Sequence, residues 1–206
     1  MHGAAERVPH TAGRTIRHAW LYDVFGAKMS GGRATLIDLA APAAGEVVLD
    51  VGCGTGTLAL SMGSRAKGVE VAGIDASAEM IGMAQRKAAK TGSDIEFKVG
   101  LIEQIPFPDS SVDLVTSSLM LHHLPSELKR EGLAEVRRVL KPGGRLVAMD
   151  FARESHSRLG HLWSVFGRGR GPAIADQLTS MLTAAGFDRA EVVPTRHTNL
   201  VFIRAV

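Results

Sequence analysis

Apolar residues gather in short runs along this chain, and Gly, Pro and Ser punctuate them into about ten elements. His18 to Ala27 carries Trp20, Leu21, Val24 and Phe25 at spacings of one, three and four, which predicts a short amphipathic helix. Ser30 is a candidate cap for a second helix with Ala34, Leu36 and Ile37 on its buried side, ended by Pro42. Glu46 to Val51 is an apolar run that leads into glycines and reads as a buried strand. Further strands are predicted at Val69–Asp75, Ile95–Val99, Val112–Thr116 and Arg145–Phe151. Helices fall between them at Thr57–Arg65, at 78–90 behind a Ser77 cap, and from Pro125-Ser126 with Leu133, Val136 and Leu140 on one face. Lys141-Pro142-Gly143-Gly144 reads as the stop of that last helix.

Strands alternate with helices through 46–151, which calls for right-handed crossovers and a parallel sheet covered on both faces. After Pro172 a helix runs to Ala185, followed by two extended runs, Ala190–Val193 and Asn199–Ile203. The turn between them is too short for a helical crossover, so they must pair antiparallel. The expected fold is α/β, a Rossmann-like doubly wound, mostly parallel sheet with helices on both faces.

Composition narrows the class. Of the 206 residues, 45% are apolar and 22% charged, as in an ordinary soluble domain. No apolar run reaches the roughly 18–20 residues of a membrane span, and Met1 to His10 lacks a signal-peptide core. Cys53 is the single cysteine, which excludes a disulfide framework and a multi-cysteine metal site and points to a reducing, cytoplasmic setting. Net charge is +2 over 1–44, −2 over 45–152 and +3 over 153–206, with no dense basic stripe. No nucleic-acid partner is expected.

The richest segment is Val48-Leu49-Asp50-Val51-Gly52-Cys53-Gly54-Thr55-Gly56, a strand that runs into three alternating glycines and then a helix. Glycine lets backbone approach a ligand closely and take left-handed torsions, and the helix N-terminus offers free N–H groups. A P-loop would need a lysine that is missing here, and a dinucleotide fingerprint would need glycine where Thr57 stands. Asp50, at the strand end, suits a cationic amine better than a diphosphate. S-adenosylmethionine (SAM) has such an amine and no phosphate. Asp75 ends the next strand, where a carboxylate can accept hydrogen bonds from ribose hydroxyls.

Four segments carry a family resemblance: Val48–Gly56, Gly73-Ile74-Asp75, Ile105-Pro106-Phe107-Pro108-Asp109-Ser110-Ser111-Val112-Asp113 and Leu140-Lys141-Pro142-Gly143-Gly144-Arg145-Leu146. In this order and spacing they resemble the motifs of class I SAM-dependent methyltransferases, in the branch of the ubiquinone/menaquinone biosynthesis enzymes and many small-molecule methyltransferases. The resemblance covers about 46–151 and continues more faintly through Ala185-Gly186-Phe187. It implies one domain over 1–206: an N-terminal helical lid at 1–44, a SAM-binding core at 45–151, and a substrate-side cover with the C-terminal strands at 152–206. It implies seven strands, the last inserted antiparallel. It also implies methyl transfer to a small-molecule or lipid-like acceptor, with S-adenosylhomocysteine as product. A non-catalytic SAM-binding regulator and an enzyme acting on a macromolecule stay open as alternatives. Amino-directed DNA methylation is disfavoured, because Ser117-Ser118-Leu119-Met120 stands where such enzymes carry an Asn/Asp-Pro-Pro-aromatic stretch.

The resemblance further implies the roles of single residues. Asp50 and the glycine turn (Gly52, Cys53, Gly54, Gly56) hold the methionine part of the cofactor. Asp75 binds the ribose, and Ala76 and Met80 flank the adenine. Ser118 lends a carbonyl to the cofactor amine. Leu101 stands where relatives often place an adenine-binding acid, which leaves the adenine to backbone near Leu101 and Ile102 or to apolar packing. Cys53 reads as a small filler more readily than as a nucleophile. His123, in Leu121-His122-His123-Leu124, and Tyr22, on the N-terminal helix, are the candidate catalytic groups; core packing is the competing reading for the aromatic helix, and a structural role for the histidines. No metal site is expected. Residues 153–170 alternate Arg and His with Leu, Trp, Val and Phe, and read as a substrate-side cover, with peripheral lipid contact and a homodimer contact as alternatives.

Overall fold

The computed structural model describes residues 30–152 and 174–206. The aromatic helix at 18–27 with Tyr22, the arm before it and the basic segment 153–170 lie outside the described residues.

Helix α1 (Ser30–Ala40) buries Gly32, Leu36, Ile37 and Ala40. Ala34 is only half-buried. The inward position belongs to Gly32, where a methyl group would stand 2.8 Å from Met149 Sδ and Leu200 Cδ1. The chain then alternates β1 (Val47–Val51), α2 (Thr57–Arg65), β2 (Glu70–Asp75), α3 (Ala78–Thr91), β3 (Glu96–Val99), β4 (Val112–Ser118), α4 (Ser126–Val139) and β5 (Leu140–Phe151). Helix α5 (Ile174–Ala184), β6 (Ala190–Val192) and β7 (Leu200–Ala205) complete it. The Ser77 hydroxyl accepts the Met80 amide at 3.3 Å, the expected cap of α3. Met80, Ala84 and Ala88 lie on its buried face, joined by Ile81.

The seven strands run in the order β3-β2-β1-β4-β5-β7-β6. Strands β1 to β5 are parallel, and β7 is antiparallel to both β5 and β6. The antiparallel pairing expected of the last two runs is present, with β7 between its partner and the parallel set. The helix stops before Lys141–Gly144 as expected, at Val139, but Leu140, expected on its apolar face, is the first residue of β5. Leu140 already pairs with Val112, and the next pair is Leu114 with Arg145, so the Pro-Gly-Gly stretch is a bulge inside β5.

Alternate strand residues feed two cores, one on each face of the sheet. Leu49, Val115, Leu146 and Ile203 pack with Leu133, Val136, Leu178 and Phe187 from the α4 and α5 side. Val48, Leu114, Val147 and Phe202 pack with Leu36, Ala59, Met62 and Ile81 from α1, α2 and α3. β1 lies between β2 and β4, so the sheet order reverses there and a crevice opens at the carboxyl ends of β1, β2 and β4.

Candidate functional site

At that crevice the chain leaves β1 through left-handed glycines, with φ of 71° at Gly52, 53° at Gly54 and 75° at Gly56. L-residues avoid this region, so the turn demands glycine. Space adds a second demand at two of the three. A methyl group at Gly52 would stand 2.8 Å from Met120 Cβ, and one at Gly56 would stand 2.7 Å from Phe97 Cζ. At Gly54 it would meet nothing within 4 Å. The Gly52 and Cys53 amides both donate to the Ile74 carbonyl at 2.9 Å, which ties the turn to β2.

Two acids flank the turn. Asp50 is 1% exposed; its Oδ1 accepts the Thr116 hydroxyl at 2.9 Å, the Ala59 backbone amide lends it weaker support, and its buried Oδ2 has no hydrogen-bond partner within ordinary distance among the described residues. Burial pushes the carboxyl up to about 7; the Thr116 hydroxyl opposes this, and the charge of Asp75 adds to it. Asp75 accepts the Gly54 amide on Oδ2 at 2.9 Å and the Ser77 amide on Oδ1 at 2.8 Å. Burial raises its carboxyl above the ordinary value, against those two amides. Among the described residues, no Lys or Arg pairs with either acid.

The other predicted residues sort by what they present. Ala76 is exposed and Met80 buried at the start of α3. Gly100 donates to the Asp75 carbonyl at 3.1 Å, which sets the 101–104 turn beside β2. Ile102 is buried in the core, its side chain packed against Gly132. Leu101 is half-buried, with its carbonyl accepting the Gln104 amide at 3.2 Å. Ser118 is half-buried at the end of β4 beside Met149. Cys53 is 8% exposed, and burial, then the charges of Asp50 and Asp75, push its thiol up, so no thiolate forms there near neutral pH.

The histidine pair differs from the sequence-based expectation. His122, the neighbour of His123, has the carboxylate partner: its Nδ1 lies 2.6 Å from Asp150 Oδ1, and its backbone amide donates to Asp150 Oδ2 at 3.0 Å. The His123 ring lies against it, tilted by 43° with centroids 3.8 Å apart, and the His123 amide donates to the Met120 carbonyl at 3.0 Å. Asp150 escaped sequence reasoning although it ends β5 as Asp50 ends β1 and Asp75 ends β2; the same strand-end signal marks all three. Glu103 also escaped it, and its Oε2 is buried without a partner.

An acid beside a glycine turn and a second acid ending the next strand agree with the family resemblance, and relatives decide it. Residues 48–144 match the model of the methyltransferase domain. A demethylmenaquinone methyltransferase of Thermus thermophilus is 35% identical over 150 residues, covering 70% of this chain and 67% of that one. This chain belongs to the class I SAM-dependent methyltransferases. Within the family it sides with the ubiquinone/menaquinone type: a demethylmenaquinone methyltransferase of Deinococcus radiodurans is 36% identical over 119 residues, 58% of this chain and 48% of that one. The chain thus spans from about half to two thirds of these relatives' length. Among solved structures, a SAM-dependent methyltransferase of Aquifex aeolicus superposes with a TM-score of 0.64 at 26% identity, covering 84% of this chain and 88% of that one. Membership makes SAM the cofactor.

Proposed function

We propose that this methyltransferase transfers a methyl group from SAM to a small, lipid-like acceptor that carries an ionisable hydroxyl, of the reduced naphthoquinone kind. The observation that carries the cofactor half is Asp50, a buried carboxylate with one oxygen unpartnered and no cation beside it among the described residues. A ligand ammonium fits that need. Bound there, SAM supplies an electrophilic methyl on a sulfonium. Asp50 and the backbone of Gly52, Cys53, Gly54 and Gly56 hold its amino-acid end, with the Ser118 carbonyl. Asp75 keeps lone pairs for the ribose beyond those given to the Gly54 and Ser77 amides. Ala76, Met80 and the backbone of Leu101 and Ile102 border the adenine. The acceptor half rests on the names of the relatives and on the carboxyl-edge position of the histidines. Tyr22, in the N-terminal lid of 1–44, and the substrate-side cover that precedes the C-terminal strands in 152–206 are assigned to closing the crevice. Among the described residues no helix is long and apolar enough to cross a membrane. Contact with a lipid surface through 153–170, and a homodimer, belong to the same reading.

The chain's own part is to position two partners and exclude water, since most of the barrier to such a displacement lies in orientation. Calorimetric titration with SAM, then labelled SAM with demethylmenaquinol in detergent and extraction of the product, tests both halves. Micromolar SAM binding with label in the quinol is the expected result. Absence of SAM binding overturns the cofactor half, and SAM binding without label overturns the acceptor half.

A further inference from the structure

The His122–Asp150 pair has a geometry that a structural staple alone does not require. Asp150 is 2% exposed. Its carboxylate collects three donors: the His122 backbone amide on Oδ2, and the Phe151 amide at 2.7 Å with the His122 ring at 2.6 Å on Oδ1. A carboxylate only accepts, so Nδ1 of the neutral ring carries the proton and Nε2 keeps a bare lone pair. That nitrogen has no hydrogen-bond partner among the described residues, and it is not sealed from solvent; the side chain is 19% exposed. The ring is clamped, edge-on to Phe151 at 5.0 Å and tilted against His123.

The turn that carries His122 is tied to the cofactor side. It begins at Leu119 with φ of 57°, a strained torsion for leucine, and the Leu119 amide is pinned to the Met149 carbonyl at 2.8 Å. The next side chain, Met120, packs over the site of the missing Gly52 methyl group. One strained turn therefore reaches from the glycine turn to the Asp150 carboxylate, and it presents a fixed basic nitrogen at the carboxyl edge. Strain of this kind persists where the surroundings over-determine it, often at functional sites.

We infer that His122, oriented by Asp150, accepts the acceptor's proton during methyl transfer. The inference rests on the acceptor reading above. The balance is simple. The acceptor O–H bond breaks and its proton goes to Nε2. The electron pair left on the acceptor forms the bond to the methyl carbon, at ring carbon or oxygen, and the C–S pair stays on sulfur. The imidazolium then gives its proton to water. For attack through a ring carbon, the ring proton is lost afterwards to water. His122 is the catalytic residue in this scheme, and Asp150 is a positioning residue that sets the tautomer.

The test uses the full chain, labelled SAM and a set of 1,4-naphthohydroquinones of graded acidity. His122→Gln is expected to lower kcat by about 100-fold or more on the least acidic probes and by less than about tenfold on the most acidic, which ionise unaided. KM and the SAM dissociation constant stay within about threefold. Added imidazole restores part of the rate of His122→Gly. Asp150→Asn lowers kcat less than His122→Gln does, and Asp150→Glu recovers part of that loss. Nitrogen-15 NMR of the ligand-free protein supplies a readout apart from turnover: the Nδ1–H tautomer is expected for His122, and Asp150→Asn shifts it. An equal loss on every probe, no loss at all, or an Nε2–H tautomer overturns the assignment while the acceptor reading stands. A wild-type protein that binds SAM and labels none of the probes overturns the acceptor reading, and the base goes with it.

Discussion

The two edges of the sheet treat their acids in opposite ways. At the amino edge Glu46, Asp113 and Glu135 each have a cation. Arg145 grips both oxygens of Glu46 at 2.7 and 2.9 Å and also donates to the carbonyls of Ala40 and Ala41. Lys141 reaches Asp113 at 2.7 Å. Arg138 holds Glu135 and Asp109 and donates to the Ile105 and Phe107 carbonyls. These guanidinium hydrogen bonds hold Glu46 and Glu135 below the usual carboxylate value. At the carboxyl edge, Asp50 is buried and Asp75 half-buried, neither has a cationic side chain beside it among the described residues, and desolvation raises both. The amino edge is complete as a protein. Among the described residues the two acids of the carboxyl edge have no cationic partner, which suits a ligand that brings one.

The sharpest way to break this contrast is pH, because the edges respond with opposite sign. Glu46 has a depressed value, so its stabilisation is present at neutral pH and is lost as pH falls below the ordinary carboxylate range. Asp50 is raised from 3.8 to about 7, so its contribution is intact in acid and is lost as pH rises through about 7. A shift of that size opposes folding of the ligand-free protein by about 4 kcal/mol once the group is ionised. Asp50→Asn should therefore be more stable than wild type at pH 8.5, and that advantage should shrink steadily as pH falls from about 7 and vanish only below 3.8, in denaturant titrations. Saturating SAM should narrow the gap, and its binding near pH 7 should release a proton, seen by calorimetry in buffers of different ionisation enthalpy. A stability difference that ignores pH would put a cation or water network beside Asp50 and end the contrast.

Next in size is the complete edge. Arg145→Ala leaves Glu46 and the Ala40 carbonyl without their donor, and the pair is only about one-fifth exposed. Breaking such a pair costs about 3 kcal/mol of folding stability. The SAM dissociation constant should not move, since the site lies at the far end of the strands. A parallel loss of SAM affinity would show that the two edges are coupled.

Asp75→Ala tests the carboxyl edge through its ligand. It removes the acceptor of the Gly54 and Ser77 amides as well as the proposed ribose contact. SAM affinity should fall by about 2 kcal/mol, the scale for hydrogen bonds to a charged group. Adenine alone should bind the variant as it binds wild type. An unchanged SAM affinity, measured by calorimetry, moves the ribose elsewhere.

The chain revealed its carboxyl edge unevenly, and the reason is range. The glycine turn, Asp50 and Asp75 are adjacent to the strands that display them, so period and punctuation expose them within a few residues. The β strands were legible for the same reason. The His122–Asp150 pair joins residues 28 apart, and nothing local marks Asp150 as a partner. The same holds for Thr116 on Asp50, 66 residues away. Leu140 misled for a different reason: Pro-Gly-Gly marks the end of the helix correctly, but both a loop and a bulge satisfy that chemistry. Only the pairing of Leu140 with Val112 decides between them.

The smallest predicted effect on stability carries a specific message about the ligand. Gly54→Ala adds a methyl group where φ is 53° and no atom lies within 4 Å. Its folding cost is torsional alone, about 1 kcal/mol. Gly52→Ala must in addition displace Met120, so it should cost more. For binding, the empty space above Gly54 matters because the Gly54 amide faces the Asp75 carboxylate. If SAM fills that space, the new methyl group collides with the cofactor and affinity drops by more than tenfold, out of proportion to the small stability change. Thermal melts and calorimetry on the two variants separate the effects. A Gly54→Ala protein that keeps wild-type affinity would mean that the ligand avoids this side of the turn, and that it meets the acids of the carboxyl edge from the Met120 side instead.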